Sequence, residues 1–202
     1  MALYLLFFQT AIFLTIWAAI HSYVTRYGPI AKARSIALLN NRLYSLASIF
    51  QLVLIMSPYE ETAKQIYHAS KFYEYIDILA VRASGGYIDL HFGFHHLTTP
   101  YLTYFRVIQN SHGWRVMAGL NAFHHIIMYA YFGGAGFLRP ALPVTGSIQL
   151  VVGLAGEALI LSRKKAIGEL PQWPNVFVLN LLSIYLVFWV RELRMKARDK
   201  LK

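Results

Sequence analysis

Cysteine is absent from the 202-residue sequence. Its absence excludes a disulfide framework, Cys-ligated zinc or iron–sulfur sites and a cysteine nucleophile. Charged residues are also scarce: they make up 14% of the chain, whereas a typical soluble domain carries about 25%, and 57% of the residues are hydrophobic. So few polar groups cannot cover a globular surface in water, and we therefore expect a membrane protein.

Acidic residues are the scarcer charge type. Nine Asp and Glu face nineteen Lys and Arg, which gives a net charge of +10. In a soluble protein this excess would suggest a nucleic-acid partner. Here the basic residues lie between apolar runs, so we expect them to contact the headgroups of anionic membrane lipids and to attract an anionic substrate, with no nucleic acid involved.

The apolar runs are numerous enough for about seven membrane crossings. One crossing needs about 20 residues, and Gly and Pro break the chain between the runs. We therefore predict an all-α, polytopic membrane protein in which residues 1–202 form one membrane-embedded domain. The predicted spans are Ala2 to Tyr23, Ala37 to Ser57, Ile66 to Arg82, Tyr87 to Ile108, Trp114 to Phe137, Pro140 to Leu161 and Trp173 to Val190.

The charge distribution predicts the orientation. The tail from Arg191 to Lys202 holds six basic residues, so the positive-inside rule predicts a cytosolic C-terminus. The basic run at 163–165 opposes this arrangement, and a re-entrant sixth or seventh span would resolve the conflict. The tail loosely resembles an ER-retrieval signal, which supports its exposure to the cytosol. We expect a multi-pass protein of the endoplasmic reticulum membrane, with a prokaryotic inner membrane as the alternative.

Ionisable residues inside a span are expensive and often functional. Lys71, Glu74 and Asp77 recur at every third position and would share an arc of about 120° on one helix. The alternative reading is a purely structural ion pair.

Three imidazoles, those of His91, His95 and His96, lie in the fourth predicted span. A cluster at membrane depth points to chemistry more than to structure. On a regular helix His91 and His95 project within about 40° of each other, whereas His96 lies roughly 140° from His91. The three rings therefore cannot all face one point.

The fifth span contains a second polar stripe. Asn121, His125 and Met128 fall within roughly 60°, and His124 points about 100° away from His125. This spacing predicts one inward-facing imidazole. Tyr129 and Tyr131 either form an interfacial aromatic belt or line a substrate site. In the sixth span Gln149 supplies one amide, which could also simply bond a neighbouring helix.

The order of these motifs resembles the very-long-chain fatty acid elongases, the ELO family, from about Leu38 to the end of the chain. Lys71-Phe-Tyr-Glu74-Tyr-Ile-Asp77 is similar to the family's Lys-x-x-Glu-x-x-Asp-Thr box, and Asn121 to Tyr129 is similar to its Asn-x-x-x-His-x-x-Met-Tyr box. The resemblance implies seven transmembrane helices, six of which enclose a substrate tunnel.

The sequence departs from the family pattern at several positions. Ile78 stands where the family has Thr, and His-x-x-x-His-His replaces His-x-x-His-His. Either Phe92 occupies the first histidine position, or a π-bulge around Gly93 brings His91 into register. In the sixth span Thr145 is displaced by one residue and Val152 replaces a second Gln. A divergent or inactive member of the family is therefore one of the alternatives.

The resemblance implies a condensing enzyme that joins acyl-CoA and malonyl-CoA to a 3-ketoacyl-CoA and releases carbon dioxide and CoA. It implies no cofactor beyond these substrates, with a homodimer or other elongation-cycle enzymes as further partners. An acyl-imidazole is the available covalent intermediate. The implied catalytic residues are His95 and His125 as a central pair, with His96, His91, Asn121 and Asp77 as base, orienting or polarising groups. The implied binding residues are Lys71, Glu74, Met128, Tyr129, Tyr131 and Gln149.

Two other functions compete with this interpretation. A di-iron desaturase or hydroxylase would use the histidine boxes as iron ligands. Those enzymes gather about eight histidines, however, and His21, His68 and His112 are isolated in this sequence, so no metal site is predicted. The second competitor is a non-catalytic lipid-binding relative.

Overall fold

The computed structural model describes residues 3–109 and 113–199, and these residues form helices, turns and loops without any β-strand. The prediction of an all-α protein is confirmed. His112 and residues 200–202 lie outside the described part. The α-helices are α1 (Leu3–Tyr27), α2 (Ala33–Met56), α3 (Glu60–Tyr73), α4 (Tyr75–Ala83), α5 (Leu90–Thr103), α6 (Trp114–Phe132), α7 (Ala141–Ala166) and α8 (Trp173–Asp199).

Four helices have the length and composition of membrane spans: α1, α2, α7 and the segment Trp173–Lys196 of α8. Only 11–28% of the residues in their most apolar stretches are buried. Their large apolar side chains therefore face outward, which is stable against lipid and not against water. The count of seven spans stays a prediction.

The third predicted span differs most from the structure. A single helix over Ile66 to Arg82 was expected, but α3 begins at Glu60 and ends at Tyr73, and α4 begins again at Tyr75. Glu74 keeps helical backbone angles, yet its carbonyl accepts the N–H of Asp77, three residues on, at 3.2 Å. The continuous helix was therefore a wrong prediction, and the break tightens the chain where the charged residues lie.

Proline and glycine modify the next two helices. Pro100 lies inside α5, where it cannot donate a backbone hydrogen bond. The chain then widens into a π-helical turn at Tyr104–Ile108, with Gln109 N–H donating to the carbonyl of Tyr104 at 3.0 Å. Gly133 and Gly134 end α6 at Phe132, before the predicted end at Phe137, and Gly134 has a φ of +115° that disfavours other residues.

The helices pack so that the polar faces of the middle segments meet. The most extensive helix contact is between α2 and α6. The next two are those of α7 with α8 and of α7 with α6. α4 fills the space between α1 and α2, and α5 contacts α3 and α8. Because α3, α5 and α6 carry Lys71 and the histidines of the two predicted boxes, this arrangement turns those residues inward.

Candidate active site

A buried ion pair occupies the centre of the bundle. Lys71 Nζ lies 2.6 Å from Glu74 Oε1, and the two side chains are 1% and 0% exposed. Lys71 Nζ also donates to Asn121 Oδ1 at 2.7 Å, and the Tyr44 hydroxyl donates to Glu74 Oε1 at 2.9 Å. These extra hydrogen bonds offset the desolvation of the two charges. They also tie together α2, α3 and α6.

The helix break at Glu74 positions one of the histidines. Besides the Asp77 N–H, the Glu74 carbonyl lies 3.1 Å from Nδ1 of His96, a residue on α5 that is 4% exposed. A carbonyl oxygen only accepts hydrogen bonds, so His96 must donate through Nδ1. The break thus offers a backbone acceptor to α5 and holds the His96 ring in one tautomer.

Asp77 is buried, but its hydrogen-bond partners differ from those of Lys71 and Glu74. The Tyr129 hydroxyl of α6 donates to Asp77 Oδ2, and Asn40 Nδ2 of α2 donates to Asp77 Oδ1 at 3.0 Å. Asn40 in turn accepts from the Tyr73 hydroxyl at 2.5 Å. The carboxylate therefore joins α2, α4 and α6. Tyr129 belongs to this polar network and not to an interfacial belt.

Asn121 is the hub of the network, and its amide orientation follows from its partners. Its Oδ1 accepts from Lys71 Nζ at 2.7 Å and from the Tyr67 hydroxyl at 2.9 Å. An ammonium group can only donate, so the oxygen must point toward Lys71. The Nδ2 group then donates to Gln149 Oε1 at 3.1 Å and faces His125 Nε2 at 3.3 Å.

His125 is 3% exposed and lies between Asn121 and Glu74. The amide nitrogen of Asn121 faces Nε2 of the ring. Nδ1 lies 3.4 Å from Glu74 Oε1 but has no aligned hydrogen-bond partner among residues 3–109 and 113–199. The ring therefore lies between a carboxylate on one side and an amide on the other.

The three histidines of α5 point in different directions, as their helical angles predict. His91 Nδ1 donates to Glu192 Oε2 of α8 at 2.9 Å. The ring of His95 lies 6.0 Å from that of His91, 5.3 Å from that of His96 and 4.9 Å from that of Tyr185.

The register of α5 is that of a regular α-helix. The N–H of Gly93 donates to the Asp89 carbonyl at 3.0 Å, the ordinary four-residue spacing. The alternative of a π-bulge at Gly93 was therefore wrong, since the π-helical turn lies at Tyr104–Ile108 instead. His91 consequently stays at the α8 contact, away from the central ion pair.

The second polar stripe is only partly as predicted. His124 is buried like His125, although only one inward imidazole was expected, and its Nδ1 lies 2.7 Å from Thr145 Oγ1 of α7. Met128 and Tyr131 are both half-buried, and the ring of Tyr131 lies 5.0 Å from that of Phe132. Within the described residues, neither Met128 nor Tyr131 joins the hydrogen-bond network.

A cavity of about 40 Å³ lies beside the network. His95, Lys71, Asn121 and Gln149 form part of its polar side. The remaining lining residues are Tyr67, Thr99, Thr103, Tyr185, Leu102, Met117, Leu150 and Leu182. This volume holds a few water molecules or one small polar group. It is far smaller than a fatty acyl chain, so this cavity alone does not form the expected tunnel.

Sequence reasoning missed several members of the site. Tyr44 and Asn40 lie on α2, Tyr67 lies one helical turn before Lys71, and Tyr185 donates to or accepts from Thr98 Oγ1 at 2.7 Å. A lone Tyr or Asn in an apolar run carries no distinctive spacing. The one usable signal was the helical spacing of Tyr67 from Lys71, which places both on the same face.

A second buried polar cluster lies at the π-helical turn. Arg106 Nε lies 2.6 Å from Glu157 Oε2, and Asn175 Nδ2 donates to Glu157 Oε1 at 2.6 Å. The three residues are 3%, 1% and 1% exposed. The contacts link the turn to α7 and α8, and they act as an interhelical fastening away from the cavity.

The start of α3 carries a more exposed group of charges. Glu60 accepts from Lys64 at 2.7 Å, from Trp114 Nε1 at 3.2 Å and from Arg115 at 3.4 Å. The hydrogen bond from Lys64 is the main reason that the pKa of Glu60 lies below its ordinary value. Glu60 and Lys64 both precede the third predicted span, which begins at Ile66.

The histidines do not converge on a metal-binding geometry. In the described ranges, no group of three His, Cys, Asp or Glu side chains is arranged to hold a metal ion. Four of the buried or half-buried imidazoles instead direct Nδ1 to separate protein oxygens, those of Thr103, Glu192, Glu74 and Thr145. The di-iron interpretation therefore gains no support from the donor geometry.

Comparison of the chain with protein-family models, with curated proteins and with solved structures finds no match. The functional assignment therefore depends on the residues themselves and on the ordered motifs described above.

Proposed function

We propose that this protein condenses a fatty acyl-CoA with malonyl-CoA to form a 3-ketoacyl-CoA, as its motifs resemble those of the ELO elongases. The observation that carries the proposal is the pairing of His95 with the Asn121–His125 unit at one small cavity. His95 and Asn121 both line the cavity, and His125 Nε2 lies 3.3 Å from the Asn121 amide. Two imidazoles near a polar cavity with apolar walls suit acyl transfer.

The proposed reaction has two covalent steps. In the first, a ring nitrogen of His95 or His125 attacks the thioester carbonyl, a C–N bond forms, the C–S bond breaks, and CoA leaves as the thiol with the imidazole proton. In the second, malonyl-CoA loses carbon dioxide and the resulting carbanion attacks the acyl-imidazole. A C–C bond forms, the C–N bond breaks, and the imidazole regains one proton from solvent.

The surrounding polar groups would act on charge that develops during these steps. The Lys71 ammonium and the Asn121 amide are donors that line the cavity, and preorganised donors of this kind stabilise an oxyanion. Glu74 would orient His125, and His96 and His91 would act as base or orienting groups. Asp77 would hold Tyr129, and Gln149 would hold Asn121.

The wider architecture belongs to the same proposal. Seven membrane crossings, six of them around a tunnel, would require α3 with α4, α5 with the π-helical turn, and α6 to cross beside the four apolar helices. The acyl chain would enter by separation of the leucines that line the cavity. A burial free energy of about 0.8 kcal/mol per methylene would favour this separation. We place the protein in the endoplasmic reticulum membrane or a prokaryotic inner membrane, with a cytosolic C-terminus.

The test is an assay of purified protein in lipid nanodiscs with acyl-CoA and labelled malonyl-CoA. We expect labelled 3-ketoacyl product and carbon dioxide from the wild type, and loss of both from His95→Ala and from His125→Ala. His21→Ala is the matched control, because His21 is exposed on α1 and hydrogen-bonds Arg82. Its product yield should equal that of the wild type.

Two outcomes would refute the proposal. Equal product from all four proteins would remove the histidines from the chemistry. Binding of acyl-CoA by the wild type without release of carbon dioxide would identify a lipid-binding protein that has no condensing activity.

A further inference from the structure

The geometry around Asn121 determines more than a hydrogen-bond network. The Asn121 amide contacts four side chains from three helices, those of Tyr67, Lys71, His125 and Gln149. Of these four, only Lys71 can act solely as a hydrogen-bond donor. Its ammonium must donate, and it is 1% exposed and only 2.6 Å from the Glu74 carboxylate, which favours its charged form. Lys71 therefore decides which end of the Asn121 amide is the oxygen.

Tyr67 reinforces that choice. Its hydroxyl donates to the same Oδ1 at 2.9 Å, and the residue is 2% exposed. A flipped amide would place two N–H groups against the Lys71 ammonium and would leave that buried cation with one acceptor fewer. An unsatisfied buried polar group costs about 1–3 kcal/mol, and more for a charged one, so the flipped state is strongly disfavoured.

We infer that Tyr67 and Lys71 are positioning residues that fix the amide of Asn121 and, through it, hold His125 in its Nδ1–H tautomer with the Nε2 lone pair bare. The chain of contacts runs from Lys71 Nζ to Asn121 Oδ1 and from Asn121 Nδ2 to His125 Nε2. The Glu74 carboxylate, 3.4 Å from Nδ1, favours the same tautomer.

The tautomer assigns the reactive atom of His125. Only a nitrogen with a lone pair can take an acyl group or a proton, so Nε2 is the atom that can react. Its contact with the Asn121 amide is 3.3 Å, longer than an ordinary N–H···N or N–H···O hydrogen bond. A substrate carbonyl in the cavity could therefore replace a weak contact. This consequence rests on the proposed function, whereas the tautomer does not.

The test is solid-state NMR of full-length protein in lipid bilayers, with ¹⁵N-labelled histidine and no substrate. The His125 resonances are assigned by comparison with His125→Gln. We expect the wild type to show a protonated Nδ1 and a bare Nε2. The variant Tyr67→Phe/Lys71→Met/Glu74→Gln removes both charges of the pair, so that no carboxylate is left beside Nδ1. The Asn121 amide is then released, and we expect a mixture of the two tautomers.

Tyr101→Phe is the matched control, because it removes a hydroxyl donor from the Leu6 carbonyl of α1 instead of from Asn121. Its His125 signals should equal those of the wild type. If the triple variant does not fold, Asn121→Asp provides the second measurement. Two carboxylate oxygens can only accept, so Nε2 should gain a proton and its bare-nitrogen signal should disappear.

Three results would overturn the inference. They are a protonated Nε2 in the wild type, an unchanged pure Nδ1–H tautomer in the triple variant, or an equal shift in Tyr101→Phe. The spectra need no turnover. A wild type with the expected tautomer but without 3-ketoacyl product would therefore refute the proposed function alone.

Discussion

Gly146 on α7 lies against the indole ring of Trp189 on α8, and we expect Gly146→Ala to destabilise the protein. A Cβ atom at this position would lie 2.6 Å from Cζ2 of the indole and 3.0 Å from Cη2. The indole is not free to move aside. Its Nε1–H donates to Ser147 Oγ at 3.0 Å, and its ring lies 5.6 Å from that of His91.

The size of the effect follows from this distance and from a control on the same helix. The Gly146 contact would be 0.8 Å shorter than the 3.4 Å at which ordinary contact begins, whereas Gly156 has nothing within 4 Å. Over-packing costs about 1–3 kcal/mol, and the helix propensity of Ala returns up to about 1 kcal/mol at either glycine. We therefore expect Gly146→Ala to be about 1–3 kcal/mol less stable than Gly156→Ala.

Thermal unfolding in nanodiscs, followed by tryptophan fluorescence, measures the difference. At about 2–4 °C per kcal/mol for a chain of this size, Gly146→Ala should melt several degrees below Gly156→Ala. The double variant Gly146→Ala/Trp189→Leu should recover part of the loss, because the smaller side chain makes room for the new methyl group. A Gly146→Ala protein that melts with or above Gly156→Ala would refute the tight α7–α8 contact.

Two further predictions concern charged residues away from the cavity. Glu157→Leu should destabilise the protein by about 3–5 kcal/mol, because Arg106 loses a buried carboxylate. The double variant Arg106→Met/Glu157→Leu should regain more than half of the lost free energy of unfolding, measured by chemical unfolding. A double variant whose loss equals the sum of the losses of the two single variants would contradict the pairing. Because the pKa of Glu60 is lowered from 4.5, its stabilisation is present above that value and is lost as the pH falls through the lower folded value. Glu60→Gln should therefore melt below the wild type at neutral pH. The difference in melting temperature should shrink as the pH falls below about 4.5 and should close below the lowered pKa of folded Glu60. A difference in melting temperature that does not change with pH would contradict the role of the Glu60 carboxylate.

The prediction of helices and breaks from the sequence was accurate where composition dominates. Long apolar runs predicted α1, α2, α7 and α8, because a continuous apolar segment satisfies its backbone only as a helix in lipid. The bounds differed at Phe132, where two glycines end α6 early, and at Glu74, where α3 and α4 separate. They also differed at the ends of α7 and α8, which run to Ala166 and Asp199, beyond the predicted ends at Leu161 and Val190. The spacing of residues along the chain does not predict the break at Glu74. That break depends on which residue across the bundle bonds the freed Glu74 carbonyl, here His96 of α5.

The site was predicted in part. Lys71 and Glu74 do pair, and Asn121 and His125 do share one face, because both relations follow from the helical period. The partners of Asp77 and His91 lie on α2, α6 and α8, and no local pattern connects them. His124 was expected to point away from the interior, but α7 covers it and supplies Thr145.

The amino-acid sequence alone determined the helical class, the membrane character and the faces on which polar residues lie, since these depend on composition and on a fixed rotation per residue. The tertiary structure decided which polar faces meet, which amide end faces Lys71 and which nitrogen of His125 carries the proton. Those choices depend on contacts between residues as far apart in the chain as Lys71 and Asn121. Only packing brings such residues within hydrogen-bond distance.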